Sequence, residues 1–251
     1  MTIAMVTGAS SGIGEEFCRS LDSRSFDSIW LIARRADRLE DIASGLSTPC
    51  RVIPADLTSE GDLSRLTSIL TEEEPEIGLL VNCAGFGTFG RSWEIPIGET
   101  RSMMDLNMGA LVTITHACIP YMVPGSTVVQ LCSQSAYIPL SDLNVYASTK
   151  AFVRHYCDGL RAELRDLGIN VLEVSPGWVR TDFIDICTGD NAVPAKVFSH
   201  TVTRERVVSV AMRDLDRRRR RSVPDLHIRV QIFLATHFRG LAEHVWKGYF
   251  R

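Results

Sequence analysis

Little in this chain points to a membrane, a metal or a nucleic acid. No apolar run among its 251 residues is long enough to span a bilayer. The seven cysteines show no paired metal spacing, which sets a structural zinc site aside. Cys83, Cys132 and Cys157 fall in apolar segments and read as reduced, buried thiols. Lysine and arginine number 27 against 30 acids, a net charge of −3, so nucleic acid is not expected as a main partner. No Pro/Gly/Ser-rich linker, low-complexity tract or internal repeat divides the chain. The first residues already read as a strand, so no leader is expected ahead of them and the expected setting is cytoplasmic.

What is present is alternation. Short apolar runs at 2–7, 28–33, 52–53, 78–81, 127–131 and 169–174 are separated by helical stretches. That order predicts one α/β domain over 1–251, a doubly wound parallel sheet with helices on both faces.

Tyr146 and Lys150 stand four apart in Tyr146-Ala147-Ser148-Thr149-Lys150, which runs on into Ala151-Phe152-Val153 and reads as helix. Such spacing puts phenol and ammonium on one helix face. A free tyrosine titrates at about 10, and a nearby cation favours the phenolate. Lys150 is therefore expected to lower the Tyr146 pKa and make it a usable proton donor or acceptor.

The first strand leads directly into Gly8-Ala9-Ser10-Ser11-Gly12-Ile13-Gly14, and Glu15-Glu16-Phe17-Cys18 after it looks helical. Strand, glycine turn, helix is the order a dinucleotide site needs. Glycines let the backbone approach a pyrophosphate, and a helix N-terminus offers it free N–H groups. The spacing is Gly-x-x-x-Gly-x-Gly rather than Gly-x-Gly-x-x-Gly. The second strand ends in Arg34-Arg35, at the start of a predicted helix over 35–45. A residue about twenty positions after the glycines meets the adenosine ribose in such folds. An acid there would suit NAD; two guanidiniums suit a 2′-phosphate and point to NADP(H). The plainer reading is two solvated charges at a helix start.

Together these residues resemble the short-chain dehydrogenase/reductase family in its classical form, over nearly the whole chain. The turn from Thr7 through Gly8, Ser10, Ser11, Gly12, Ile13 and Gly14 is similar to the family's cofactor turn. The resemblance implies further roles. Asp56, followed by Leu57, would hold the adenine amino group. Asn82-Cys83-Ala84-Gly85 would border the cofactor, with Cys83 replacing a second asparagine. Asn107 would hold a water near Lys150. Ser133, thirteen residues before Tyr146, would be the catalytic serine, in preference to Ser135. Pro176, Gly177 and Thr181 would meet the nicotinamide carboxamide, and Lys150 its ribose. Singly, Asp56 could be a helix cap, Ser133 a strand-end hydroxyl and Thr181 the start of a surface loop.

The resemblance implies a Rossmann-type fold and an NADP(H)-dependent oxidoreductase that interconverts a carbonyl and a secondary alcohol. Phe86, Phe89, Trp178, Phe183 and Phe198, with 182–202 as substrate loop, suggest a small apolar substrate: steroid-like, aromatic or aliphatic. Alternatives are 3-oxoacyl thioester reduction and a non-catalytic NADP(H)-binding regulator. A homodimer or homotetramer is expected through the helices bearing Asn107 and Tyr146, which carry Leu111, Val112, Ile114, Phe152, Val153 and Leu160.

Two features lie outside this frame. The arginine run 217–221 is expected to end a helix beginning near Thr203, favourably opposed to its dipole. Residues 224–251 carry Leu226, Val230, Phe233, Leu234, Phe238, Leu241, Val245 and Tyr249 at helical spacing, interrupted at Gly240. That stripe is expected to pack on the body or on a second subunit. Peripheral contact with an anionic membrane surface is the other reading.

Overall fold

Residues 1–189, 193–238 and 240 are described in a computed structural model. Six strands and their helices follow in order. β1 (Thr2–Thr7) leads to α1 (Gly12–Leu21), β2 (Ser28–Ala33) to α2 (Ala36–Ser44), and β3 (Cys50–Pro54) to α3 (Glu60–Glu73). β4 (Glu76–Asn82) precedes α4 (Ile97–Met104), a π-helical turn (Asp105–Ala110) and α5 (Leu111–Cys118). β5 (Met122–Leu131) precedes a 3-10 turn (Gln134–Tyr137) and α6 (Asn144–Glu163), and β6 (Asn170–Val174) follows. Two short strands, β7 (Trp178–Val179) and β8 (Thr201–Val202), pair with each other around α7 (Phe183–Thr188). After α8 (Arg204–Asp216), β9 (Arg221–Ser222) joins the main sheet beside β6, and α9 (Leu226–His237) closes the described chain.

The seven-stranded sheet has the order β3-β2-β1-β4-β5-β6-β9, and its paired strands are parallel. Helices cover both faces. Ile3 and Met5 of β1 bury one way with Ile114, Val153 and Leu160; Ala4 and Val6 bury the other way with Phe17, Leu39 and Val208. Alternate side chains of a strand face opposite sides, so each face acquires its own apolar layer. The strand order reverses between β1 and β4. Ligand crevices of such sheets open there, beyond the strands' carboxyl ends.

One expectation fails and another is narrowed. The run 217–221 does not end a helix. α8 starts as predicted, with the Thr203 hydroxyl accepting from the Arg206 N–H at 3.2 Å, but it stops at Asp216. Arg218 adopts a φ of 50°, and Arg221 enters β9 to meet the buried carboxylate of Glu173. A buried charge needs a partner, and that requirement overrides helix continuation. The described part of the C-terminal stripe does not pack on the body, which leaves a second subunit among its expected covers. Leu226, Val230, Phe233 and Phe238 are exposed, while Ile228, Ile232 and Ala235 are buried. Ile228 settles against Gly177, and such packing turns this face inward. Leu241, Val245 and Tyr249 lie outside the described residues. Among the described residues no helix is long and apolar enough to cross a membrane.

Candidate active site

A cavity of about 690 Å³ collects residues that follow six successive strands of the sheet. Gly8 to Gly14 come after β1, Arg34 and Arg35 after β2, and Asp56 and Leu57 after β3. Ala84, Gly85 and Phe86 follow β4, Ser133 follows β5, and Pro176, Gly177 and Thr181 follow β6. Tyr146 and Lys150 reach it from α6.

The glycine turn is a backbone cradle. Gly8 has a φ of 66°, and a Cβ on it would stand 2.8 Å from the Ala84 nitrogen. A Cβ on Gly14 would stand 2.2 Å from the Gly8 carbonyl oxygen. Neither position admits a side chain, so β1, β4 and α1 close up and leave the first turn of α1 on the cavity wall. Thr181 lies across the cradle, its Cγ2 3.3 Å from where a Gly12 Cβ would be.

Both arginines border this end. Arg34 is exposed. Arg35 is tied down: its guanidinium donates to the Ser10 hydroxyl and, at 3.2 Å, to the Ser10 carbonyl, anchoring the glycine turn to the end of β2. Asp56 is no helix cap, since Ser59 caps α3. Its carboxylate accepts from the Thr58 N–H at 2.9 Å and the Thr58 hydroxyl at 2.7 Å. Those bonds, with the charge of Arg34 nearby, hold it below the usual carboxylate range. A cradle without side chains, a helix N-terminus and exposed cations fit a phosphorylated dinucleotide.

The other end is buried. Ser133, in extended backbone, lines the cavity with Tyr146, and its hydroxyl accepts the Ser135 N–H at 3.1 Å. Ser135 does not line the cavity, and its own hydroxyl has no partner. Lys150 Nζ donates to the Leu131 carbonyl at 2.8 Å and stands 5.8 Å from the Tyr146 ring centre. The expected lowering of the Tyr146 pKa by Lys150 is therefore not what the protein's own groups produce. Burial pushes the phenol well up, opposed chiefly by Ser133, and burial also lowers the Lys150 pKa. Desolvation disfavours both charged forms and outweighs the spacing argument.

Two predicted residues stand behind the wall rather than on it. Asn107, fully buried in the π-helical turn, donates to the Phe86 carbonyl at 2.9 Å and Thr149 Oγ1 at 3.0 Å, and accepts the Phe86 N–H at 3.0 Å. It thereby joins the β4 loop to α6. Asn82 turns away from the cavity and donates to Thr115 Oγ1 at 3.0 Å. The thiols of Cys83 and Cys132 are each pushed up to about 12 by burial, which leaves them unreactive. Of the five aromatics expected around a substrate, Phe86 and Phe183 line the cavity. Phe89, Trp178 and Phe198 instead stack behind it, with Phe89 and Trp178 at 5.8 Å and Trp178 edge-on to Phe198 at 4.9 Å. Sequence reasoning passed over Leu106 and Ile186, which do line it, because single aliphatics carry no local signal.

A glycine cradle at the switch point, with a serine, tyrosine and lysine across from it, defines a dinucleotide-dependent oxidoreductase. The model of the short chain dehydrogenase family matches residues 2–188, and the chain belongs to that family. Serine 3-dehydrogenase of Agrobacterium fabrum is 34% identical over 190 residues, 74% of this chain and 76% of that protein. A short-chain dehydrogenase from Sphingobium yanoikuyae, solved in complex with NADPH, has a TM-score of 0.82 at 27% identity, covering 92% of this chain and 91% of its own. The bulky-bulky ketone specific alcohol dehydrogenase of Comamonas testosteroni gives 0.76 at 25%, covering 95% of each chain. The protein is an oxidoreductase acting on alcohol or carbonyl groups of small molecules.

Proposed function

We propose that the protein is a cytoplasmic NADP(H)-dependent reductase and dehydrogenase for an uncharged apolar carbonyl and its secondary alcohol. One observation carries this reading: Ser133 and Tyr146 stand together on the wall of the same cavity that holds exposed Arg34 at its far end. Gly8 to Gly14 and the first turn of α1 would hold the pyrophosphate, Arg34 and Arg35 the 2′-phosphate, Asp56 the adenine, and Thr181 and Lys150 the nicotinamide end. When bound, that cofactor supplies or accepts the hydride. In reduction, Tyr146 gives its proton to the substrate oxygen and Ser133 donates a hydrogen bond to the same atom. The raised phenol pKa keeps that proton in place at neutral pH. Asn107 keeps α6 and the β4 loop in register around them.

The substrate class follows from the wall beside Tyr146. Phe86, Leu106, Phe183 and Ile186 line it, and the cations on the cavity among the described residues are Arg34, Arg35 and Lys150. Serine 3-dehydrogenase is named for an amino acid that carries a carboxylate. Among the described residues lining the cavity, Lys150 is the cation beside Tyr146, and it is already bonded to the Leu131 carbonyl, which leaves a carboxylate no ready cationic partner there. Apolar walls with few polar groups suit a bulky ketone. A screen of ketones and aldehydes followed by NADPH absorbance tests this. Turnover of aryl and alicyclic ketones above that of oxo-acids is expected; preference for oxo-acids would refute the substrate class.

Assembly is inferred from the outer faces of α5 and α6. Leu111, Ile114, Val153 and Leu160 face the sheet, but Phe152 is exposed and stacks on Tyr156 at 6.1 Å. A pair of such helices covers these rings in a dimer or tetramer. Light scattering at micromolar concentration should show no monomer; a monomer alone would overturn it.

A further inference from the structure

We propose that Glu173 is a positioning residue for Ser133, acting through Tyr137 and Ser175. Glu173 sits in β6, completely buried, between β5 and β9. Its carboxylate accepts the Tyr137 hydroxyl in a short hydrogen bond and the Ser175 hydroxyl at 2.6 Å. Arg221 Nε reaches its other oxygen at 3.3 Å. A carboxylate removed from water on this scale must be fully paired, and its partners are then held in one arrangement.

Those partners bracket the candidate site. Ser133 opens the 3-10 turn Gln134–Tyr137, and Tyr137 closes it. The Gln134 N–H donates to the Pro176 carbonyl at 2.9 Å, next to Ser175. Fixing Tyr137 and Ser175 on one carboxylate therefore fixes both ends of the segment that aims the Ser133 hydroxyl. Arg154 lies eight positions after Tyr146 on α6, and its guanidinium stands 4.4 Å over the Tyr137 ring. Arg221 approaches the same ring at 5.0 Å. The turn that bears Ser133 is thus clamped to the helix that bears Tyr146. Burial, and then the charge of Glu173, hold the Tyr137 phenol well above its usual range, so it stays a donor at any working pH. A purely structural role has a simpler solution, because an apolar cluster commonly stabilises as well as a buried ion pair does. A carboxylate spanning the Ser133 turn, β6 and β9 fits a demand for geometry instead.

The inference rests on the reductase reading. Its test is a double-mutant cycle with NADPH and an aryl alkyl ketone. Tyr137→Phe removes one hydrogen bond and keeps the ring between its two guanidiniums. Misplacing a reacting group slightly is expected to lower kcat about tenfold, with KM and the NADPH Kd moving by less than about twofold. In a Ser133→Ala background the same change should have no further effect, because Tyr137 acts through Ser133. Glu173→Gln should repeat the pattern, and Tyr137→Phe stands alone if that variant does not fold. An equal fall in kcat in both backgrounds would show an independent structural role and overturn the inference. A wild type inactive on every carbonyl offered would bring down the reductase reading first, and this inference with it.

Discussion

Arg34 stands exposed at one end of the cavity, whereas Tyr146, Ser133 and Lys150 at the other end are each less than a tenth exposed. The exposed end works with charge in water. No buried network depends on Arg34. The buried end works with desolvation. There, burial pushes Tyr146 up and Lys150 down, and position is set by hydrogen bonds to Leu131, Ser135 and the turn beyond. On the proposed function, cofactor affinity and chemistry would thus be carried by separate physics, and each could be perturbed alone.

The strongest way to break that separation is Tyr146→Phe. The ring stays packed against Phe183, 5.5 Å away. Turnover of the best ketone should fall about 10²–10⁴-fold, the usual value of a general acid. A fluorescence titration with NADPH should be unchanged. Retained turnover would mean that the chain binds the dinucleotide for another purpose. Next in size is Ser133→Ala, which removes the proposed oxyanion donor and should lower kcat about 10²-fold. Ser135→Ala deletes a buried hydroxyl that has no partner, so kcat should change by less than about twofold. A reversal of these two serines would move the catalytic role to Ser135.

The same contrast explains what was legible in the sequence. Gly8, Gly12, Gly14 and Arg34 could be read because backbone approach and charge demand particular residues after particular strands; Asp56 came only from the family resemblance. Strands β1 to β6 declared themselves as apolar runs. Burial was not legible in the same way. The spacing of Tyr146 and Lys150 gave proximity, but not the desolvation that decides their protonation. Glu173 looked like one polar residue in an apolar run, and its partner Arg221 was hidden in a row of arginines. β9 is two residues long, too short for any period to register. On α9 both Leu226-Val230-Phe233 and Ile228-Ile232-Ala235 recur at helical spacing, so packing, including the contact of Ile228 with Gly177, selects the inner face.

At the exposed end, Arg34→Asp should weaken NADPH binding about tenfold or more, since a charge-assisted hydrogen bond contributes roughly 1.5–3 kcal/mol. NADH should gain or hold, and kcat with saturating cofactor should stay near the wild-type value. Equal affinity of the wild type for NADPH and NADH would remove the case for Arg34 as the phosphate partner. Arg35→Ala should act differently, because its guanidinium braces Ser10. Both cofactors should then bind more weakly.

The smallest expected effect is also the one that separates the two ends without any substitution. Exposed charges are screened over a Debye length of about 10 Å at 0.1 M salt and about 3 Å at 1 M. A contact between Arg34 and a 2′-phosphate lies in water and must feel this. Raising salt from 0.05 to 0.5 M should weaken NADPH binding by about threefold, and NADH binding by less, because NADH lacks that phosphate. The Ser133–Tyr146 pair is buried and uncharged, so kcat at saturating cofactor should not follow the salt. Arg34→Ala should bring the NADPH salt dependence down to that of NADH. If kcat fell with salt as steeply as affinity, the buried end would be coupled to surface charge. The division between an aqueous binding end and a desolvated chemical end would then be wrong.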